Sequence, residues 1–271
     1  MKDFIIENGV LNKYNGKESH VVIPKNITNI GYRAFEDCAI LTSIEIPNSV
    51  KRIGYSAFYG CKNLSSINIP DSVFIIDDYA FNSCENLKSI KIPNSVTLIG
   101  HCAFANCTNL NSIEIPNSVE HIGDMAFAGC KNITNMQIPS SVICIGNYVF
   151  DDFIKIKPQY NPNGSLRAFK AFNKDWTCRE FQYEVGESYH QDGEIKCCKN
   201  GFHACCNPLS VFNYYYGYLD NLHFAEVELS GDMVWDFTNE KTAASDIRII
   251  RELTVSELMD IYNSMEKENE R

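Results

Sequence analysis

No run of about 18 consecutive apolar residues occurs in the 271-residue sequence, so no membrane-spanning helix is expected. Basic charge is short: 24 Lys and Arg stand against 34 Asp and Glu, for a formal net charge of −10. General binding to a nucleic-acid backbone needs a basic face, so that class is not expected. The opening Met1-Lys2-Asp3-Phe4-Ile5-Ile6-Glu7 lacks the continuous apolar stretch of a secretory signal. The 12 cysteines are therefore expected as free thiols in a reducing cytoplasm, not as a disulfide framework. Tryptophan is scarce, and both copies, Trp176 and Trp235, lie in the C-terminal part of the chain.

What is present is periodic. The dipeptide Ile-Pro recurs every 23 residues, at Ile23, Ile46, Ile69, Ile92, Ile115 and Ile138. In the same register come Phe35, Phe58, Phe81, Phe104, Phe127 and Phe150, and a cysteine three residues further on at Cys38, Cys61, Cys84, Cys107 and Cys130. Fixed-period self-similarity of this length means a solenoid, whose turns bury their apolar faces only by stacking. Ser43-Ile44-Glu45-Ile46-Pro47 alternates polar and apolar, as a short half-buried strand does, with Ile44 and Ile46 inward and Glu45 outward. Pro47 ends the strand because it has no N–H for a ladder. Asn48-Ser49 is expected to turn the chain through side-chain bonds to backbone, and Gly54 to supply a permissive dihedral. Stacking then piles Ile, Phe and Cys into interior columns, with the cysteines packing as small hydrophobes and not as a metal array. Phe4–Ile6, Asn8-Gly9 and Val10-Leu11 read as a hairpin capping the stack, and Phe153–Pro158 as a degenerate last strand.

The consensus N-L-x-S-I-x-I-P-x-S-V-x-x-I-G-x-x-A-F-x-x-C resembles the BspA-like (Treponema-type) leucine-rich repeats over about residues 20–156. The resemblance implies a right-handed solenoid and a role in protein–protein contact or adhesion. On such a scaffold, recognition belongs to positions that vary while the interior stays constant. The outward strand column offers Glu45, Asn68, Lys91 and Glu114, and the column after the glycine offers Tyr32, Tyr55 and His101. Phe74 stands where other turns carry Lys51 or Glu120. These are the candidate partner-binding residues, with Tyr32 and Tyr55 as anchors, because tyrosine gives large contact area with few rotors. Phe74 reads equally as packing against a neighbouring turn. His101 has no Cys or acid at ligand spacing, and no metal is expected.

The period ends near Lys157, and Pro158–Ser165 is turn-rich. The expected organisation is a leucine-rich-repeat solenoid with its cap over 1–157, a linker over 158–165 and a small α+β domain over 166–271, so the fold class is α+β. Strands are expected at Glu180–Tyr183, Ser188–Gln191, Glu194–Cys198, Phe224–Leu229, Met233–Phe237 and Asp246–Ile250, with a hairpin turn at Asp192-Gly193. Pro208–Tyr216 begins like a helix. Thr254-Val255-Ser256-Glu257 is a capping box opening a final helix whose apolar stripe is Leu258, Ile261, Tyr262 and Met265. Cys197-Cys198, His203 and Cys205-Cys206 have the donor types of a zinc site without its spacing, so buried thiols are expected instead.

Lys199-Asn200-Gly201-Phe202-His203-Ala204-Cys205, taken with Cys178–Gly186, resembles a domain common in phage and bacterial proteins and, more distantly, ADP-ribosyltransferase-type folds. The phage link implies a protein that blocks a host enzyme by stoichiometric binding. The transferase likeness implies NAD, with Arg179 on its pyrophosphate, His203 on the nicotinamide ribose, and Glu226 or Glu228 stabilising an oxocarbenium-like transition state. Tyr214 or Tyr215 could stack on the nicotinamide. Two readings stand: a cytoplasmic protein-binding protein without cofactor, and an NAD-dependent transferase carried to its target by the repeats.

Overall fold

The computed structural model describes residues 3–133, 136–150, 156–179, 181–197, 199–215, 217–236 and 241–269. It divides into two compact units, Met1–Phe153 and Ile154–Arg271.

In the first unit each 23-residue turn is one coil, and among the described residues all but the last carry two short strands. Strands at His20–Val22, Ser43–Glu45 and Ser66–Asn68 pair in parallel, as do Ser89–Lys91 and Ser112–Glu114. Two-residue strands at Asn29–Ile30, Arg52–Ile53, Ile75–Ile76, Leu98–Ile99, His121–Ile122 and Cys144–Ile145 form a second parallel ladder. The N-terminal hairpin forms as expected. Asn8 and Gly9 take positive φ, Phe4–Glu7 pairs with Val10–Tyr14, and the latter strand starts the second ladder by pairing with Asn29–Ile30. Of the expected last strand, 153–155 lies outside the described residues.

The interior columns are present. Phe35, Phe58, Phe81, Phe104 and Phe127 are buried, and their rings stack from coil to coil at centroid separations of 5.1, 5.2, 5.3 and 5.7 Å. Each backbone N–H of this column donates to the next coil, as from Phe58 to Ala80 O at 2.8 Å. The cysteine column does more than fill space. Cys61, Cys84, Cys107 and Cys130 each donate S–H to a phenylalanine carbonyl of the preceding coil, at 3.0–3.2 Å. Burial pushes the Cys61 thiol up to about 12 and those of Cys84 and Cys107 well above their usual value, so the donor proton stays in place. The described cysteines are free thiols.

One local expectation holds and one needs correction. Asn48-Ser49 is a turn, and its serine does bond backbone, in the preceding coil: Ser49 Oγ donates to Lys25 O and Ile27 O, and after Pro70-Asp71 Ser72 Oγ donates to Val50 O. Gly54 has no left-handed dihedral. What it supplies is the missing Cβ, which would sit 2.6 Å from Ile30 O; at Gly123 a Cβ would sit 2.5 Å from His101 N. Asp77 holds this register in one coil, where its carboxylate takes the Arg52 guanidinium. One left-handed residue comes two positions after the glycine, and a second, at Asp37, Gly60, Ser83, Asn106 and Gly129, four positions later. Arg33, Ser56, Tyr79, Cys102, Met125 and Tyr148 all have φ of 51–57°. Each non-glycine residue there costs about 1 kcal/mol. A bond to the next coil offsets that cost, as in Ser56 N to Asp78 O at 2.9 Å.

The second unit is an antiparallel sheet whose pairings close a ring. Leu166–Asn173 pairs with Leu222–Trp235, and that strand with Lys241–Leu253. Lys241–Leu253 pairs with Phe202–Cys205, which returns to Leu166–Asn173 at the single pair Phe169–Cys205. Ser188–His190 adds to Lys241–Leu253 at the edge. Leu166, Ala168, Phe172, Val227, Leu229, Ile247 and Ile249 form the apolar core on one face. The closing helix Val255–Asn269 starts at the expected capping box: Thr254 N donates to Glu257 Oε2 at 2.8 Å, and Glu257 N to Thr254 Oγ1 at 3.2 Å. Its buried apolar side chains among the described residues are Leu258, Met259, Tyr262 and Met265; Ile261, expected in that stripe, is only half-buried, and Met259 takes its place. Among the described residues no helix is long and apolar enough to cross a membrane.

The remaining expectations change here. The stretch expected as a linker is a hairpin: Gln159–Tyr160 pairs with Leu166–Arg167, and Asn163 Oδ1 accepts from Ser165 N to tighten the turn. Leu166–Asn173 was not foreseen. Asp192-Gly193 joins no pair of strands, since 194–197 makes only a bridge between Lys196 and Asn200. The helix expected from Pro208 is a 3-10 segment, Pro208–Asn213, capped by the Asn207 side chain.

Candidate functional site

On the repeat unit, the eight candidate residues fall on three columns. Glu45, Asn68, Lys91 and Glu114 are exposed on the first ladder, in register as Glu45–Asn68 and Glu114–Lys91. Glu45 also meets the His20 ring at 3.4 Å. Phe74 is exposed and sits between Lys51 and Thr97 in a ladder of backbone bonds. Tyr32, Tyr55 and His101 lie just beyond the second ladder. The structure therefore does not bring all eight onto one sheet.

The post-glycine column splits into two regimes. In its later coils the side chains cap the next coil's backbone. Asp78 Oδ1 accepts from His101 N at 2.8 Å, His101 Nδ1 from Asp124 N at 2.9 Å, and Asp124 Oδ1 from Asn147 N at 2.7 Å. An accepting Nδ1 places the imidazole proton on Nε2, so His101 has a structural task. The early coils carry aromatics instead. The Tyr32 and Tyr55 rings stack at 5.3 Å and 17°, and the Tyr79 ring lies 5.5 Å from Tyr55. The Arg33 guanidinium sits 4.9 Å from the Tyr32 ring centroid. Tyr32 is 61% exposed and Tyr55 36%. Sequence reasoning missed Tyr79 and Arg33, since both occupy the left-handed register one place off the column.

The second unit holds a cleft of about 540 Å³. It opens where Leu166–Asn173 and Phe202–Cys205 part beyond their one pair, and the 3-10 segment covers one side. Arg179 and His203 line it, together with Tyr214 and Tyr215. Lys170 also lines it, and is 3% exposed. Its Nζ donates to His203 O at 2.9 Å and to Cys178 Sγ at 3.4 Å, and Cys178 Sγ lies 3.0 Å from the Tyr215 hydroxyl. Burial drives the Lys170 ammonium below its ordinary range, with the Cys178 thiol acting against that shift and Lys241 adding to it. Cys205 faces the cleft while Cys206 enters the apolar core, so these adjacent cysteines diverge. Cys198 lies outside the described residues, among which no metal-holding cluster occurs.

Neither glutamate joins the cleft. Across the sheet Phe169 pairs with Glu226 and Lys170 with Ala225, so Glu226 faces away from Lys170. Its carboxylate takes Arg167 Nε at 2.6 Å and Arg251 Nε at 3.0 Å. Glu228 accepts from Asn161 Nδ2 at 2.9 Å and lines a separate depression with His190 and Asp246. The arrangement required for glycosyl transfer, an arginine, a histidine and a glutamate on one cleft, is thus not assembled from Arg179, His203 and these two carboxylates.

Burial, then the charges of Lys241, Lys170 and Arg179, push the His203 imidazole down to about 4. The unfolded chain takes up that proton near pH 6.5. Between those values the native state binds fewer protons, so stability falls as the pH drops through the window. The full shift is worth about 3 kcal/mol, and partial solvent access reduces this to about 1–2 kcal/mol. His203→Asn is expected to flatten the pH dependence of the urea midpoint between about pH 6.5 and 4.5, read by tryptophan fluorescence. An unchanged slope would contradict this placement.

A family model described as BspA type leucine rich repeat region, in six copies, matches residues 6–109 and 74–181. A second, described as a domain of unknown function (DUF7666), matches residues 166–261. No curated protein matches the chain. Among solved structures, the leucine-rich-repeat protein of T. pallidum is 29% identical, with 55% of this chain and 86% of that one covered and a TM-score of 0.49. A leucine-rich cell surface protein of Faecalibacterium prausnitzii is 26% identical over 60% of this chain and 55% of its own, with a TM-score of 0.41. A leucine-rich-repeat protein of Bacteroides ovatus is 29% identical over 55% and 54%, with a TM-score of 0.33.

Proposed function

The chain belongs to the BspA type leucine-rich-repeat family, and from that premise we propose that its repeat unit is a docking surface for a protein partner, anchored by Tyr32, Tyr55 and Arg33. The observation that carries the reading is the exposed, stacked tyrosine pair with a guanidinium against it. Interface hot spots are enriched in tyrosine and arginine. Rings already stacked on each other lose little rotamer freedom on binding. The same column is hydrogen-bonded into the scaffold from Asp78 onward, so contact by tyrosine rings not tied to backbone concentrates in the early coils, where Arg33 is also held in place by Glu36 at 3.1 Å. Glu45, Asn68, Lys91 and Glu114 add polar contacts on a different ladder and serve as rim, not anchor. The finer reading, a stoichiometric blocker of a host protein, requires the captured partner to lose activity in the complex.

The test is quantitative capture. Partners retained from host lysate by the full chain are identified by mass spectrometry, and their affinity is compared with that of Tyr32→Ala combined with Tyr55→Ala. The double substitution is expected to cost about 2–4 kcal/mol of binding while leaving thermal unfolding nearly unchanged, since both side chains are exposed. Equal affinity of the two proteins for every captured partner would sink the proposal.

A further inference from the structure

Lys170 poses a problem that the repeats do not touch. An ammonium taken out of water costs several kcal/mol unless an anion compensates it. Among the described residues no carboxylate lies within ion-pair distance of Lys170, whose partners are a carbonyl and a thiol. The charged side chains among the cleft's described lining residues are of one sign. Arg179, Lys199 and Lys241 line the same cleft, and no Asp or Glu is found among its described lining residues. This concentration of cations occurs in a chain of net charge −10, so the cleft runs against the composition as a whole. Between the cations the walls are aromatic: Phe181, Tyr183, Tyr214 and Tyr215. Lys170 Nζ itself lies 5.4 Å from the Phe172 ring centroid and 5.9 Å from that of Tyr183.

We propose that this cleft binds a small anionic ligand bearing a flat ring, of the nucleoside phosphate class, and that the ligand's anion is the counter-charge Lys170 lacks. The cations hold the phosphate by charge-assisted hydrogen bonds. The aromatic walls take the ring by stacking. The volume of about 540 Å³ lies within the usual range for small-molecule sites. His203 fits the same scheme: its neutral imidazole is set among cations, and a bound phosphate would favour its protonation. No step of glycosyl transfer is implied, because Glu226 and Glu228 lie elsewhere.

Isothermal titration of the full chain with adenosine 5′-diphosphate, adenosine and inorganic pyrophosphate tests the proposal. The diphosphate is expected to bind with one-to-one stoichiometry, and adenosine roughly tenfold or more weaker, because it lacks the charge. Pyrophosphate is expected to compete while binding more weakly than the diphosphate. Lys170→Met is expected to weaken the diphosphate roughly tenfold or more. Should Lys170→Met fail to fold, Arg179→Gln combined with Lys241→Gln carries the same expectation. No binding of the diphosphate up to about 1 mM, adenosine binding as tightly as the diphosphate, or affinity unchanged in the charge-removing variants would overturn it. Tyr32→Ala with Tyr55→Ala is expected to leave this binding intact, so failure of the docking surface and failure of this site are separable.

Discussion

Phe81→Ala is expected to destabilise the repeat unit by about 3–5 kcal/mol. The residue is 0% exposed, with Phe58 stacked on one side at 5.2 Å and 5° and Phe104 on the other at 5.3 Å and 6°. Truncation removes the transfer energy of a ring and leaves a cavity that coils held at strand spacing cannot close. Two ring–ring contacts also go, each worth about 0.5–1.5 kcal/mol beyond area, which places the loss at the upper end. A solenoid turn is stabilised only by its neighbours, so the damage reaches Phe58 and Phe104 on both sides. Phe74→Ser, on an exposed position of the preceding segment, is the control and is expected to change stability by under about 0.5 kcal/mol. Both tryptophans lie in the second unit, so tryptophan fluorescence follows that unit alone, and the part of the far-UV circular dichroism transition that does not coincide with it reports the repeat unit. A Phe81→Ala protein whose repeat transition stays in place would refute the stacked-column account of this core.

The interior of the repeat unit was legible in the sequence because period and packing are one constraint there. A side chain that recurs every 23 residues lies above its copy, and a buried copy must resemble what it touches. The role of Gly54 was not legible, because two different demands select glycine. A left-handed dihedral and a close backbone approach give the same letter. The left-handed register itself shows no letter at all: Arg33, Ser56, Tyr79, Cys102, Met125 and Tyr148 share a φ near 53° and nothing in chemistry. Backbone hydrogen bonds between coils impose that φ, and they are invisible to composition.

The second unit was harder for a reason that also hid its cleft. Leu166–Asn173 is buried on both faces, so it lacks the alternation that marks a half-buried strand. A lysine in the middle of that apolar run, Lys170, was the available signal. Phe224–Leu229 and Met233–Phe237, expected as two strands, merge in the continuous strand Leu222–Trp235, whose register shifts between Ser230 and Met233. Arg179, His203 and Tyr215 were each singled out from sequence and do share the cleft. Lys170 and Cys178 complete the polar cluster, and their proximity depends on the ring of strand pairings, which no local pattern announces.

Glu226→Ala is expected to destabilise the second unit by about 2–3 kcal/mol, whereas Glu228→Ala costs under about 1 kcal/mol. The two glutamates sit two residues apart on one strand, and sequence alone treats them alike. Their surroundings differ. Glu226 is 15% exposed in its side chain and binds two guanidiniums, Arg167 at 2.6 Å and Arg251 at 3.0 Å. Removing the carboxylate leaves two like charges facing each other in a half-buried setting, and breaking such a pair from one side costs more than the pair contributes. Arg167 keeps Gln159 and Arg251 keeps Glu257, and both retain some solvent, which holds the loss below the fully buried range. Glu226→Gln keeps hydrogen-bond acceptance without the charge and is expected to fall about midway. Glu228 is held by one amide bond from Asn161, so its loss is a single neutral-donor contact. Urea unfolding followed by tryptophan fluorescence separates the cases. Equal, small shifts for the two alanine variants would mean that the Arg167–Glu226–Arg251 bridge does not hold this face of the sheet together.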